Sequence, residues 1–226
     1  MGIGLALKDP SPDLVRRFAP AAEQAGYTTL LFPELSIVGQ RRYTGRDPFV
    51  NSALALEHTE RLRAGPGVAG TVFHTPRHLT MRGATLMEAS LNRFVLGIGV
   101  SHRGFADEIG VSYPRSPLGH ARDYLDALAQ TGRRLGFGEA APIWFAALGP
   151  RMVSLGAELA DGLLLNWLGD DPGGAVLLVS QLRVAVQVAP RLDQRVEFGS
   201  DHSRCSFWSG AYAAGMRGPN TPPPHP

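Results

Sequence analysis

The 226-residue sequence is poor in cysteine and has no long apolar run. Its one cysteine, Cys205, cannot form an internal disulfide, which predicts a protein of the reducing cytoplasm. No stretch approaches the roughly 18–20 uninterrupted apolar residues of a membrane helix, so we expect no membrane partner. The first residues carry no basic leader, which favours a strand over a signal peptide. The net charge of only +2 and the scattered arginines argue against a nucleic-acid partner.

Apolar segments alternate with helical patterns along the first three quarters of the chain. Helices are predicted where a capping residue precedes a proline, at Ser11, Asp47 and Thr75, and where Gly149 precedes Pro150. Between the second strand and the second helix, residues 36–46 are predicted to form a polar loop. Six strands are predicted, at residues 2–7, 28–32, 61–70, 93–100, 142–148 and 161–166. Six strand–helix steps with short connections predict a parallel sheet, either open and doubly wound or closed as a (β/α) barrel.

The segment RFVLGIGVSH, residues 93–102, helps to choose between these two folds. Gly97 and Gly99 resemble the start of a dinucleotide fingerprint, which requires a third glycine at position 102 and a helix that begins inside the motif. Position 102 is histidine, and the next helix is predicted only near Gly119. The barrel is therefore favoured, because its strands carry functional side chains just past their carboxyl ends, where Ser101 and His102 lie.

Four segments carry a resemblance to a known family: DPFVNSALALEHTERLRAGPGV, RFVLGIGVSH, RSPLGHARDYLDAL and AALGPRMVSLGAELADGLLLN. In this order, over about residues 2–168, they resemble the bacterial luciferase-like superfamily, most of all its deazaflavin (coenzyme F420)-dependent oxidoreductases of actinobacterial type. The resemblance implies a TIM-like (β/α)8 barrel, a homodimer, and a flavin-type cofactor at the carboxyl ends of the strands. It also implies a non-prolyl cis peptide between about residues 68 and 71.

The implied activity is hydride transfer between reduced coenzyme F420 and a small organic substrate. An FMN-dependent monooxygenase of the same superfamily is the alternative enzyme, and a truncated non-catalytic remnant is the alternative of another class.

The helix that starts at Gly149 is the predicted phosphate site. The free N–H groups of Arg151 and Met152, the helix dipole and the Arg151 charge together favour an anion. The resemblance gives this segment, including Pro150, the cofactor phosphate; an ordinary capped helix start is the alternative. By the same resemblance Gly97 and Gly99 clear space beside the cofactor ring, or else they only allow tight packing of the strand.

Polar residues at the strand ends are the other site candidates. By the same resemblance Ser101 and His102 are expected near the cofactor or substrate. His102 could exchange protons near neutral pH, although a loop histidine is often only a surface hydrogen-bonding group. Glu34 is the second candidate acid or base, and it precedes Leu35 where some deazaflavin relatives have a histidine. Asn166 could hydrogen-bond cofactor or substrate.

No metal site is predicted. His74 and His78 are four residues apart, but Pro76 lies between them at a helix start, so His74 is expected to precede the helix. No carboxylate or cysteine set completes a ligand group.

Three parts are distinguished along the chain: a barrel portion at residues 1–168, an atypical apolar segment at 169–198, and a tail at 199–226. In the tail 13 of 28 residues are Pro, Gly or Ser, which predicts disorder. Because a barrel needs eight strands and six are recognisable, we expect it to be incomplete.

Overall fold

The computed structural model describes residues 4–6, 10–38, 41–136 and 140–165. Over these residues the strands are β1 (Gly4–Ala6), β2 (Thr29–Phe32), β3 (Leu35–Val38), β4 (Arg41–Thr44), β5 (Arg63–Pro66), β6 (Ala69–Gly70), β7 (Leu96–Gly99), β8 (Ile143–Ala147) and β9 (Gly162–Leu165). The helices are α1 (Pro12–Gln24), α2 (Pro48–Glu57), α3 (Pro76–Ala89), α4 (Arg103–Glu108), α5 (Pro117–Leu135) and α6 (Pro150–Leu159). No helix in these ranges is long and apolar enough to cross a membrane.

The predicted parallel arrangement is confirmed. One sheet has the order β1-β2-β5 and another the order β6-β7-β8-β9, with every pair parallel. A bridge between Ala64 and Phe94 joins the two sheets, and the amide of Val95 donates to the Ala64 carbonyl at 3.0 Å. The parallel strands therefore lie side by side in chain order at six positions: β1, β2, β5 with β6, β7, β8 and β9.

The helix starts predicted from proline and its preceding residue are confirmed. Ser11 caps α1, Asp47 caps α2 and Thr75 caps α3, each by accepting a backbone N–H of the first turn. Helix α6 begins at Pro150 after Gly149, which has no side chain to cap it. These signals are local in the chain, which is why the sequence locates them well.

A continuous apolar core fills the space between the strands and helices. It includes strand residues with side chains that are inaccessible to solvent and helix residues that pack on them. The largest of these are Phe32, Phe94, Phe145, Leu30, Leu62, Leu79 and Ile98. Burial of both faces is the expected environment of a parallel sheet.

The structure contains a hairpin and a short helix that the sequence did not predict. The predicted loop at 36–46 contains an antiparallel hairpin of β3 and β4, in which Leu35 pairs with Thr44 and Val38 with Arg41. The two residues between Val38 and Arg41 give a hairpin spacing, and both flanking segments contain β-favouring residues. Helix α4 was also not predicted, because it has six residues and no side-chain cap. Helix α5 begins at Pro117 after the capping residue Ser116, two residues before Gly119.

The predicted third strand, residues 61–70, is two strands. β5 pairs with β2 and β6 pairs with β7, and a non-prolyl cis peptide joins Gly67 to Val68 between them. This bond lies just before the expected range of residues 68–71. The sequence does not identify the exact bond, because several small residues in this segment could each allow the bulge.

Candidate functional site

The carboxyl ends of four parallel strands meet at one edge of the fold. Glu34 follows β2, His74 follows β6, Ser101 and His102 follow β7, and Gly149 follows β8. In a parallel arrangement all these ends point the same way, so the sequence-predicted residues lie at one edge. Asn166 lies outside the described residues, as do the predicted segments at 169–198 and 199–226.

The carboxylate of Glu34 is the centre of the polar contacts at this edge. Its Oε2 accepts the amide N–H of Gly70 at 2.7 Å, and its Oε1 is hydrogen-bonded to Nε2 of His74. The side chains of Glu34 and His74 are each only 15% exposed. Both carboxylate oxygens thus have a partner from the segment that follows the cis peptide.

His74 has further partners on its other sides. Its Nδ1 lies 3.2 Å from a guanidinium nitrogen of Arg82, and its ring packs edge-on against Phe49 at 5.8 Å between centroids. The Arg82 guanidinium in turn lies 4.9 Å from the centroid of the Phe49 ring. The carbonyl of His74 accepts the hydroxyl of Tyr124 at 2.7 Å. His74 precedes α3, as predicted.

A second histidine, His120, lies in the first turn of α5. Its Nε2 is 2.9 Å from Oγ1 of Thr71, a residue only 3% exposed. Burial lowers the pKa of His120, against a smaller opposing effect of Asp123, so the neutral ring is favoured near pH 7. The pKa of the neighbouring Tyr124 is raised by burial and by the negative charge of Glu34, so its hydroxyl stays protonated as a donor.

Ser101 lies beside the segment that follows β6. Its φ is +72°, a left-handed conformation that a non-glycine residue rarely adopts. Its carbonyl accepts the Tyr113 hydroxyl at 3.1 Å, and burial raises the pKa of that phenol against the opposing charge of Arg103. The amide of Thr71 donates to the Gly99 carbonyl at 2.8 Å, which joins β6 to the end of β7.

His102 forms the N-cap of α4 without a side-chain capping bond. Its carbonyl accepts the amides of Phe105 and Ala106, and its exposed ring lies 6.1 Å from the Phe105 ring. The ring therefore lies at the edge where β7 ends and can be reached from solvent.

Gly97 and Gly99 have close protein neighbours. A Cβ on Gly97 would overlap the carbonyl oxygen of Pro66, and one on Gly99 would lie 3.0 Å from Cβ of Ala146. Tight strand packing, one of the two interpretations of these glycines, accounts for both of them; their role beside a ring stays a prediction.

The start of α6 is open, unlike the crowded surroundings of Gly97 and Gly99. A Cβ on Gly149 would meet no atom within 4 Å, and no side chain in the described ranges caps this helix. Pro150 is the first helical residue, and Arg151 is exposed. An open, uncapped helix start with an adjacent cation fits an anionic group such as a phosphate.

A family model for luciferase-like monooxygenases matches residues 3–205. The chain belongs to the luciferase-like monooxygenase family. The match continues past residue 168, where the resemblance was expected to end.

One curated relative in this comparison is a 5,10-methylenetetrahydromethanopterin reductase of Archaeoglobus fulgidus, 29% identical over 141 residues. The alignment covers 55% of this chain and 42% of the reductase. The chain thus spans less than half the length of that relative.

Solved structures of the luciferase-like type share the fold. The coenzyme F420-dependent tetrahydromethanopterin reductase of Methanopyrus kandleri has a TM-score of 0.66 at 19% identity, with 83% of this chain and 61% of that chain covered. The oxygenating constituent of 3,6-diketocamphane monooxygenase from Pseudomonas putida, in complex with FMN, has a TM-score of 0.66 at 15% identity, over 86% and 65% of the two chains. The predicted luciferase-like barrel is confirmed as the fold, and it is not closed over the described strands.

Sequence reasoning did not select Thr71, Arg82, His120 or Tyr124. The position of His120 in the first turn of the predicted helix could have indicated it. The first turn of a helix that follows a barrel strand lies at the carboxyl edge of the sheet. Among the described residues no group of three or more histidine, cysteine, aspartate or glutamate side chains could hold a metal ion.

Proposed function

We propose that this protein of the luciferase-like family binds reduced coenzyme F420 and transfers hydride between it and a small organic substrate. The observation that carries the proposal is the open, uncapped start of α6 at the same strand edge as Ser101 and His102. The F420-dependent reductase with the same fold supports the choice of cofactor.

In this proposal the α6 start binds the cofactor phosphate. The backbone N–H groups of Arg151 and Met152 donate to the phosphate, and the Arg151 guanidinium adds its charge. Pro150 costs no intrahelical hydrogen bond, because the first N–H of a helix has no partner within the helix. The absence of a side chain at Gly149 leaves the approach to these groups open.

The ring site lies between the ends of β6, β7 and β8. The segment after the cis peptide forms one wall, and Ser101 forms the neighbouring wall with Gly97 and Gly99 beneath it. Bound deazaflavin supplies the hydride chemistry. The protein positions the substrate and excludes water, and the exposed ring of His102 exchanges a proton with the substrate. Asn166 is proposed to hydrogen-bond cofactor or substrate.

An FMN-dependent monooxygenase is the second candidate function. The FMN complex of the Pseudomonas monooxygenase, which has the same fold, favours it. FMN also carries a phosphate, so the start of α6 suits either cofactor. The two functions differ in which cofactor binds.

The first test is a titration of the folded chain with F420 and, in parallel, with FMN. We expect saturable quenching of F420 fluorescence. Arg151→Glu should raise the Kd about tenfold or more, because it places a negative charge beside the phosphate. Arg16→Glu is the matched control, since this exposed residue of α1 undergoes the same charge change away from α6. Equal affinities of the two variants contradict the phosphate site, and failure to bind either cofactor favours the non-catalytic remnant.

The role of His102 is tested by His102→Ala. We expect turnover to fall about 100-fold or more, as for loss of a general acid or base, with the Kd of F420 unchanged within about twofold. An unaltered kcat removes His102 from the mechanism.

The protein is also proposed to be a homodimer, as the family resemblance implies. Sedimentation equilibrium should give twice the 24.2 kDa mass of one chain. A single-chain mass that persists at high concentration contradicts the dimer.

A further inference from the structure

We propose that Glu34 acts as a positioning residue, which holds the β6 loop (residues 67–74) in place through Gly70 and through a neutral His74 backed by Arg82. This assigns Glu34 a different role from the acid or base that its place at a strand end suggests. The inference rests on the proposed function in one respect, namely that the β6 loop is a wall of the cofactor site.

The neighbours of His74 fix the hydrogen-bond role of each of its ring nitrogens. A guanidinium has only N–H donors, so Nδ1 of His74 must accept from Arg82. A ring that accepts at Nδ1 carries its proton on Nε2, and that N–H donates to Oε1 of Glu34. His74 is thus an uncharged link between the cation of Arg82 and the carboxylate of Glu34.

The Glu34 carboxylate acts as an acceptor in these contacts. Both of its oxygens face donors, the Nε2–H of His74 and the amide N–H of Gly70. The ionised form suits both contacts, because each oxygen then accepts an N–H and the side chain has no proton to give.

Gly70 connects Glu34 to the wall of the proposed cofactor site. Gly70 is the last residue of β6 and is in register with Gly99 of β7. A Cβ on Gly70 would lie 3.3 Å from Cβ of Ser101, so the two segments are in close contact. A displacement of Gly70 would therefore move the surface that Ser101 shares with the β6 loop. Two residues of α5 also hold the loop: the Tyr124 hydroxyl donates to the His74 carbonyl, and His120 is hydrogen-bonded to Thr71.

The principal variant is Glu34→Gln, which keeps the shape of the side chain and replaces one acceptor oxygen by an NH2 donor. Either Gly70 or His74 then faces a donor, because Arg82 prevents the ring from reversing its proton. We expect hydrogen exchange of the Gly70 amide to accelerate about tenfold or more. The Kd of F420 should rise about tenfold, while kcat at saturating cofactor stays within about threefold.

Arg82→Met provides a double-mutant cycle. Without the guanidinium the His74 ring can move its proton to Nδ1 and accept from the side-chain amide that Glu34→Gln introduces. The effect of Glu34→Gln on Gly70 exchange should therefore be several-fold smaller in the Arg82→Met background. The ring ¹⁵N spectrum should report Nε2–H in the wild type and Nδ1–H in the double variant. Tyr124→Phe is the control, since it loosens the His74 carbonyl and leaves the carboxylate contacts in place.

Two results overturn the proposal. The first is a kcat that collapses in Glu34→Gln while Gly70 exchange and cofactor Kd are unchanged, which makes Glu34 the acid or base. The second is additive effects of Glu34→Gln and Arg82→Met on Gly70 exchange, which removes the link through His74. The exchange and ring measurements need no cofactor, so they test Glu34 even if the wild type binds neither F420 nor FMN.

Arg82→Glu tests the same contacts from the surface if Glu34→Gln fails to fold. A carboxylate facing Nδ1 favours a doubly protonated ring between two anions, so the His74 ¹⁵N signals should shift to the charged form. An unchanged ring spectrum overturns the assigned link.

Discussion

At the residue scale, single carboxylates hold distant backbone segments of this molecule. Glu23, near the end of α1, accepts the amides of Glu60 at 3.2 Å and of Arg61 and Leu62 at 2.7 Å each. These three amides belong to the connection between α2 and β5. Glu23 thus satisfies three backbone donors near the amino ends of the strands, and Glu34 satisfies one, the amide of Gly70, near their carboxyl ends.

The pH dependence of stability should show the contribution of Glu23. Burial alone would raise the pKa of Glu23. The three backbone N–H groups and the Arg61 charge together lower it by more, so the pKa lies below the ordinary value of 4.5. A lowered folded pKa gives stability that is complete above about pH 4.5 and is lost as the pH falls through the folded value. In urea unfolding, Glu23→Gln should therefore be less stable than wild type at about pH 6.5, and the difference should shrink below about pH 4.5. A difference that is constant down to about pH 3 contradicts this role.

At the element scale, Arg93 joins the ends of three elements. Its guanidinium donates to the carbonyls of Leu56 at the end of α2 and of Leu62 before β5, and its Nε donates to the carbonyl of Ser90 after α3. Lysine has one nitrogen and cannot reach all these acceptors at once. Arg93→Lys should lower the free energy of unfolding by about 1–3 kcal/mol, measured in urea. Arg134→Lys, at the exposed end of α5, should change it by less than about 0.5 kcal/mol; equal effects contradict the bridging role.

Replacement by alanine should have opposite effects on stability at Gly97, in β7, and at Gly149, which precedes α6. Gly97→Ala should destabilise the protein by about 3 kcal/mol or more, since the methyl group would overlap backbone at Pro66. Gly149→Ala should leave the thermal midpoint within about 2 °C, because its surroundings are open. Calorimetry of both variants checks this, and a stable Gly97→Ala protein would return that glycine to the ring-facing interpretation.

Features that depend on residues close together in the chain could be predicted from the sequence, and contacts between distant residues could not. The proline-marked helix starts at Ser11, Asp47 and Thr75 depend on residues about three positions apart, so the sequence contains the whole signal. The pairing of Glu34 with His74 joins residues 40 positions apart, and that of Thr71 with His120 joins residues 49 apart. No local pattern encodes such pairs, which is why Glu34 was found as a strand-end acid while its partners were missed.

At the scale of the whole molecule, strand order decides what the chain can enclose. Apart from the β3–β4 hairpin, the described strands run in chain order from β1 to β9, and the ends of this series, β1 and β9, each have a single described strand neighbour. The family's complete barrel would place further strands between them. An open series exposes alternate backbone N–H and C=O groups along both edge strands.

Hydrogen exchange at β9 tests whether the barrel is incomplete. In a parallel strand with one neighbour, alternate amides donate to that neighbour and the others face outward. We expect the amides of Gly162–Leu165 to divide into slow and fast sets, while those of β7, which lies between two strands, are all slow. Uniformly slow exchange along β9 would mean that a further strand, from this chain or a second copy, covers the edge. Repeating the measurement at a roughly tenfold lower protein concentration separates those two sources, since only pairing with a second copy weakens on dilution.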